Sequence, residues 1–279
     1  MPQPATFHVR YSFYLQNGET LQFELELQPP SLALAAAPRP DYPEWTRLDF
    51  QQCPHCPLKA ATHPRCPIAA NLVDVVETFQ EGVASDEAEI IVQTDHRSYG
   101  RRGPLAQGIS AMIGLIMATS GCPYMDKLRP MAYTHLPFST KQETIFRALS
   151  MYLLGQFFVH KRGGEPDWTL GRLVQLYDDI NVVNEHLAAR LKTVCHKDAS
   201  LNALTKLDCF ASITAISIES NSLDEIENLF HAYFGNTSPR QSPASKPALA
   251  LRRSAPAAEP PPSAGGDEAI DLEESEEEI

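Results

Sequence analysis

The sequence predicts an α+β fold, in which an N-terminal antiparallel sheet that begins with a β-hairpin packs with a C-terminal helical bundle. Two observations predict it. Apolar residues alternate at every second position near the N-terminus, as in a strand with one buried face, and after residue 67 they recur at helical spacing. This change of period divides the chain into a sheet region at about 6–52, a cysteine loop at 53–67 and a mostly helical region at 68–235.

The sheet region begins with two alternating segments on either side of Asn17-Gly18. Asn-Gly favours a two-residue type I′ turn because both central positions of that turn need a positive φ angle. We therefore expect a hairpin with this turn, followed by a proline-rich loop and a third strand at Thr46–Phe50 that leads to the cysteine loop. The apolar positions of the hairpin are Phe7, Val9, Tyr11, Phe13, Leu21, Phe23, Leu25 and Leu27.

The helical region carries clear start and stop signals. Pro104 fits a first helical turn and Gly121 fits the left-handed residue after a last turn, so 104–120 is predicted as a helix. Thr140 and Glu143 form a capping box before "IFRALSMYLLGQFFVH", which is apolar on nearly every side and is expected to be the central buried helix.

Other segments are predicted from period and composition. "EIIVQT" at 89–94 has the pattern of a short strand. A helix with a stripe from Leu173 to Leu191 and another at about 200–218 follow, and Ser222 with Glu225 forms a second capping box before about 223–234.

The C-terminal segment differs in composition from the rest of the chain. Residues 236–279 contain seven prolines, no periodic apolar pattern and a final "DEAIDLEESEEEI". Such a segment buries too little apolar surface to offset its ordering entropy. We predict a single α+β domain at 1–235 and a disordered acidic tail at 236–279.

Charge and hydropathy exclude several partners. The formal net charge of −12 disfavours nucleic acid and anionic membranes, because both are polyanions. The longest apolar run, 105–121, is short for a membrane span and is interrupted by Gln107 and Ser110. The N-terminus lacks a basic segment followed by an apolar one, which favours a cytoplasmic location. No pattern argues for a protein partner or a homo-oligomer.

The most informative stretch is "CPHCPLKAATHPRCP", at 53–67. It contains Cys53, Cys56 and Cys66, and each of these cysteines, like the distant Cys122, is followed directly by proline. Thiolates two residues apart bind one ion when the backbone between them turns, and proline makes that turn rigid. The spacing predicts a metal site formed by these four cysteines.

The sequence leaves the metal and the alternatives open. Zinc and an iron–sulfur cluster both accept four thiolate ligands, and zinc is the commoner structural choice. "CPHC" resembles half of a rubredoxin-type knuckle, with Pro57 where glycine is usual. A reversible Cys53–Cys56 disulfide is one alternative, and ordinary buried cysteines are another.

A second stretch, "SGCPYMDKLRPMAYTHLPFS" at 120–139, allows a different function. Cys122 with His135 as its base is a candidate for a cysteine-dependent enzyme, and Arg129 is a candidate anion ligand. The structural alternative is that Asp126 and Arg129 anchor the loop by a salt bridge. The sequence contains no glycine-rich phosphate loop, Gly-x-Ser-x-Gly elbow or His-Glu-x-x-His pair.

Several long strings resemble a family of uncharacterised bacterial proteins known only as a domain of unknown function. They include "YSFYLQNGETLQFELEL", "PEWTRLDFQQCPHCPL", "CPIAANL", "MATSGCPYMDKLRPMAYTHLPFS" and "ALSMYLLGQFF". The resemblance covers about residues 7–234. It implies that the four cysteines and the strings Arg129-Pro130-Met131 and His135-Leu136-Pro137-Phe138 belong to the family pattern, and it implies no activity.

Overall fold

The computed structural model describes residues 6–35, 39–195, 197–220 and 223–234. The segment predicted as a disordered tail, 236–279, lies outside the described residues, as does Ser222 of the second expected capping box. The division into one domain and a tail therefore stays a prediction.

The predicted antiparallel sheet is present and has five strands within the described residues. Its order is β3-β2-β1-β4-β5, with every neighbouring pair antiparallel, so β1 lies at the centre. Two short α-helices lie between β3 and β4 in the chain and the long helices follow the last strand, which confirms the α+β class. The strands are β1 (Phe7–Leu15), β2 (Thr20–Gln28), β3 (Ala33–Leu34), β4 (Glu87–Thr94) and β5 (Ser98–Pro104).

The predicted hairpin is confirmed, but the prediction of a type I′ turn is wrong. Val9, Tyr11 and Phe13 of β1 are fully buried on one face, as the alternation predicts. Of the two turn residues, only Gly18 has a positive φ, of 85°. The N–H of Gly18 donates to the Leu15 carbonyl at 3.0 Å, which makes a longer loop ending in a left-handed glycine instead of a type I′ turn.

The prediction of a third strand at 46–50 is also wrong. A single 3₁₀ turn, Glu44–Thr46, occupies its start, and the strand next to β2 comes instead from Ala33–Leu34 within the proline-rich segment. The backbone after Glu44–Thr46 makes one isolated antiparallel bridge, between Arg47 and Arg65. Its hydrogen bonds go to the far end of the cysteine loop, so they are not available to the sheet.

Nine α-helical segments occur in the described residues, and the four long ones form the bundle. The predicted helix 104–120 is α3, and Gly121 follows it with a φ of 91° as expected, although Pro104 is its N-cap and not its first residue. The segments are α1 (Pro67–Asn71), α2 (Val73–Phe79), α3 (Leu105–Thr119), α4 (Pro130–Tyr133), α5 (Lys141–Lys161), α6 (Gly171–Leu191), α7 (Ala199–Glu219), α8 (Asp224–Glu227) and α9 (His231–Phe234).

The central buried helix is α3, and the expectation that α5 takes this position is wrong. A Cβ added to Gly108 of α3 would lie 2.5 Å from Phe13, so the helix lies closely against the sheet. The Thr140–Glu143 capping box of α5 is present as predicted. The buried residues of α5 all lie in its first half, because α3 already covers the sheet; they are Ile145, Ala148 and Leu149.

The last two long helices complete the core. The predicted stripe of α6 is buried from Leu173 to Leu191. Helix α7 packs against α6 and α3. By length and composition, Ala199–Ile218 is the one described helix that is apolar enough to cross a membrane. A core helix passes the same test, and the contacts of α7 with two neighbouring helices are those of a core helix.

Candidate metal centre

The cysteine loop is closed at its base by backbone hydrogen bonds. The N–H of Leu48 donates to the Pro64 carbonyl at 3.0 Å, and the N–H of Cys66 donates to the Thr46 carbonyl at 2.8 Å. These bonds bring the two ends of the loop together. Cys53 and Cys56 therefore lie in a segment whose two ends are held by backbone hydrogen bonds.

Each cysteine occupies a position set by local structure. The N–H of Cys56 donates to the Cys53 carbonyl at 3.0 Å, so the Cys-x-x-Cys segment turns as a chelating pair requires. Cys66 is the residue before α1, and Cys122 follows the last turn of α3. All four are free thiols; Cys122 is buried and the other three are half-buried.

The four thiols interact electrostatically with one another. Burial raises the pKa of Cys53 to about 12, and charge on Cys66, Cys122 and Cys56 acts in the same direction. Burial also raises the pKa of Cys122, with contributions from Cys66 and Cys56. The prediction that Cys122 lies near the loop is consistent with this interaction, because charges far apart would not affect each other's protonation.

The sulfur of Cys122 accepts hydrogen bonds from the main chain. The backbone N–H groups of Tyr124 and Met125 donate to it, and these bonds partly offset the effect of burial on its pKa. Donors aimed at a sulfur stabilise its thiolate form, which is the form that binds a metal. The turn after α3 therefore presents Cys122 in a ligand-like environment.

A buried arginine lies beside the cysteines. Arg190 of α6 is 2% exposed, and its guanidinium donates to three carbonyls at the base of the loop, those of Trp45, Arg47 and Leu48, at 2.7, 2.6 and 3.1 Å. Burial lowers its pKa, while Cys66, Cys53 and Cys56 act to raise it. No carboxylate of the described residues forms an ion pair with Arg190.

The middle of the loop is held by the side chain of Tyr124 and by a main-chain carbonyl of α6. The hydroxyl of Tyr124 donates to the His55 carbonyl at 2.9 Å, and the His55 ring lies 4.1 Å from the Tyr124 ring between centroids. The Nε2 atom of His55 lies 3.1 Å from the Asp179 carbonyl of α6. His55 thus packs inward against the segment after α3.

The present arrangement falls short of coordination geometry. Across the ranges that the structure describes, no group of three or more His, Cys, Asp or Glu side chains is close enough together to hold a metal ion. Electrostatic interaction extends further than a metal–sulfur bond of about 2.3 Å. The four cysteines are therefore neighbours whose sulfurs do not converge in the metal-free chain.

His135 and Cys122 are not paired in the described structure. His135 Nε2 lies 2.6 Å from the Tyr11 hydroxyl, in the centre of β1. Burial, reinforced by the charge of Arg147, lowers the pKa of His135 to about 3, so its imidazole is neutral and a weak base at pH 7. Arg129 forms an ion pair with Asp126. Of the two roles considered for Arg129, this pair corresponds to anchoring the loop and not to binding an anion.

A comparison with known protein families assigns the chain to one of them. A family model described as a domain of unknown function (DUF6901) matches residues 9–231. The chain belongs to this family. No curated protein and no solved structure matches it. The resemblance seen in the sequence is confirmed at the level of the family, and membership carries no activity.

Two functional candidates were missed from the sequence. Arg190 lies in a helical stripe far from the cysteines in the chain, and an arginine there reads as a surface residue. Tyr11 reads as one more apolar residue of β1. In the stripe that begins at Leu173, position 190 falls on the face of the buried Val183 and Leu187, and this placement was the one available signal for Arg190.

Proposed function

We propose that this protein binds a metal, zinc or an iron–sulfur cluster, through Cys53, Cys56, Cys66 and Cys122, in a structural or sensory role. The observation that carries the proposal is the loop geometry: its base is closed by backbone bonds, the Cys53–Cys56 segment turns, and Cys66 precedes α1. Burial, together with the charge of the neighbouring thiols, raises the pKa of Cys53 and of Cys122. Cys195 shows no such interaction: burial alone raises its pKa.

Charge balance supports the same proposal. A buried guanidinium without an anion is costly, because it has lost its hydration without gaining a partner. Three carbonyls satisfy the hydrogen bonds of Arg190 but not its charge. A metal bound by four thiolates carries a net negative charge, and three of the four cysteines already interact with this arginine. The charge of Asp49 also acts to raise the pKa of Arg190, and the metal-bound site would add a second negative charge beside the guanidinium.

Metal binding requires a limited rearrangement. Thiolates that share a zinc ion lie about 4 Å apart, so the sulfurs must converge by side-chain rotation and closure of the loop. Cys53, Cys56 and Cys66 are half-buried and have room to rotate, whereas Cys122 is held by its backbone donors. Because burial raises the pKa of Cys53 and of Cys122, metal binding to these two thiols releases protons and we expect tighter binding as the pH rises.

The enzyme alternative has less support. A nucleophilic cysteine needs a nearby base, and His135 is bonded to Tyr11 and holds its proton weakly.

Protein purified without air tests the proposal by elemental analysis and by its absorption spectrum. We expect about one zinc ion, or the iron and sulfide of one cluster, per chain. In Cys122→Ser we expect loss of the metal and a lower unfolding temperature, because metal-binding energy contributes to folding. Cys195→Ser is the matched control and should keep both.

Two results would overturn the proposal. One is a metal-free protein that takes up neither zinc nor iron after reduction. The other is equal metal content in Cys122→Ser and the parent. A Cys53–Cys56 disulfide that forms reversibly in such a metal-free protein would instead support the thiol-redox alternative.

A further inference from the structure

A cavity of about 180 Å³ lies within the helical bundle, apart from the cysteines. Residues of α3, α5, α6 and α7 line it, together with the segment from Met125 to Ser139. A cavity of about 150 Å³ accommodates benzene, so this one has room for a ligand of roughly that size or slightly larger.

Three unpartnered polar atoms mark the cavity as a binding site. Gln107 Oε1, Arg147 Nε and Asn184 Oδ1 are buried without a hydrogen-bond partner, and all three residues line the cavity. Buried polar atoms in folded proteins nearly always have partners, because an unmet donor or acceptor keeps its desolvation cost. The three atoms come from three different helices, α3, α5 and α6, so their common position is a product of the bundle.

Arg147 is the charged side chain among the lining residues, and two carboxylates lie near the cavity. The charge of Glu143 acts to raise the pKa of Arg147, and Asp208 accepts a hydrogen bond from Asn184 Nδ2 at 3.4 Å. The Nη2 atom of Arg147 donates to the carbonyls of Met131 and Thr134, at 2.9 and 3.0 Å, which fixes the side chain and leaves the Nε–H donor available. No carboxylate in the described part of the chain forms an ion pair with Arg147. His135, which also lines the cavity, is neutral. An oriented guanidinium without an anion is suited to bind a carboxylate.

The rest of the lining is apolar and adaptable. It includes three methionines, whose flexible side chains fit ligands of different shape. The remaining apolar residues are mostly aliphatic, and two aromatic side chains, Phe138 and Tyr177, lie among them. The residues that would contact the body of a ligand are Met117, Met125, Met131, Leu128, Ile180 and Leu207.

We propose that this cavity binds a small monocarboxylate, whose carboxylate is held by Arg147 and whose apolar body contacts the methionines. The unpartnered Oε1 of Gln107 and Oδ1 of Asn184 are acceptors, so they would bind a hydroxyl or N–H donor on the body of the ligand and restrict its orientation. This site uses none of the four cysteines, although Met125 of its lining lies in the turn after Cys122.

Calorimetric titration of the full chain with benzoate, and with methyl benzoate as an uncharged counterpart that adds no hydrogen-bond donor, tests the proposal. We expect saturable binding of benzoate and binding of methyl benzoate that is at least tenfold weaker. In Arg147→Gln the affinity for benzoate should fall by about 10- to 100-fold, because a charge-assisted hydrogen bond is lost. Arg101→Gln, at an exposed position of β5, is the matched control and should bind benzoate as the parent does.

A second variant keeps the test valid if Arg147→Gln fails to fold. Ala111 lines the cavity from α3, and Ala111→Leu fills part of it without removing a polar contact. This variant should stay folded by circular dichroism and lose benzoate binding. The proposal is overturned if the folded parent binds no benzoate, if Ala111→Leu binds it unchanged, or if methyl benzoate binds as tightly as benzoate.

Discussion

The cysteine loop, at 53–67, and the second half of α5, at 150–161, differ in two respects: how regular their backbone is and how closely they are attached to the rest of the protein. The loop is rich in proline and has almost no regular structure, yet backbone bonds, Tyr124 and Arg190 attach it to the rest of the protein. The α5 segment is a regular apolar helix, yet Leu154 is 56% exposed and Phe157 is 49% exposed.

This difference shows that regular structure and attachment to the core have separate causes. A helix satisfies its own backbone groups, so it can extend away from the core without leaving them unpaired. A loop has no such internal pairing, and its buried carbonyls need donors from elsewhere in the chain. Arg190 is one of these donors, which makes the fixed geometry of the loop depend on α6.

The largest effect is expected from Arg190→Met. This change leaves the carbonyls of Trp45, Arg47 and Leu48 without their donor, and we expect a loss of about 4 kcal/mol in the free energy of unfolding. Urea unfolding followed by circular dichroism measures it. Arg172→Met is the control, since the Arg172 side chain is 62% exposed, and it should cost less than about 1 kcal/mol. Equal costs for the two variants would contradict the role given to Arg190.

A pair of leucine substitutions in α5 tests the other side of the comparison. Leu149 is 8% exposed, and Leu149→Ala should lower the free energy of unfolding by about 3 kcal/mol through lost burial and a new cavity. Leu154→Ala, in the exposed half of the same helix, should change it by less than about 0.5 kcal/mol. Urea unfolding of both variants measures the difference. A large cost at Leu154 would mean that another surface covers the second half of α5 in solution.

The smallest effect concerns His135, in the segment between α3 and α5. Its folded pKa of about 3 lies below the ordinary 6.5, so its contribution to stability is present above pH 6.5 and is lost as the pH falls toward 3. The loss amounts to about 2 kcal/mol at pH 5. Unfolding free energies at pH 7 and pH 5 measure it.

His135→Gln should remove this part of the pH dependence. The exposed His160 is the matched position, and His160→Gln should leave the dependence unchanged. If His135→Gln and the parent lose the same stability between pH 7 and pH 5, the imidazole is not held neutral as the structure indicates.

Much of the local structure could be predicted from the sequence. Alternation identified the buried face of β1, helical spacing identified the stripe of α6, and the Thr140–Glu143 pair marked the start of α5. The position of Gly121 after α3 followed from its tolerance of a positive φ. Each of these features depends on residues within a few positions of one another, and such short-range interactions can be read from the chain directly.

The sequence by itself thus determined the α+β class, the buried face of the hairpin and the grouping of Cys53, Cys56 and Cys66 in one loop. Only the tertiary structure decided that α3 and not α5 covers the sheet, since both helices are apolar and one sheet face accommodates one of them. It also brought Arg190 to the base of the loop and Arg147 to the cavity. Periodicity records which side of an element is apolar, whereas the partner of that side is fixed by packing between elements distant in the chain.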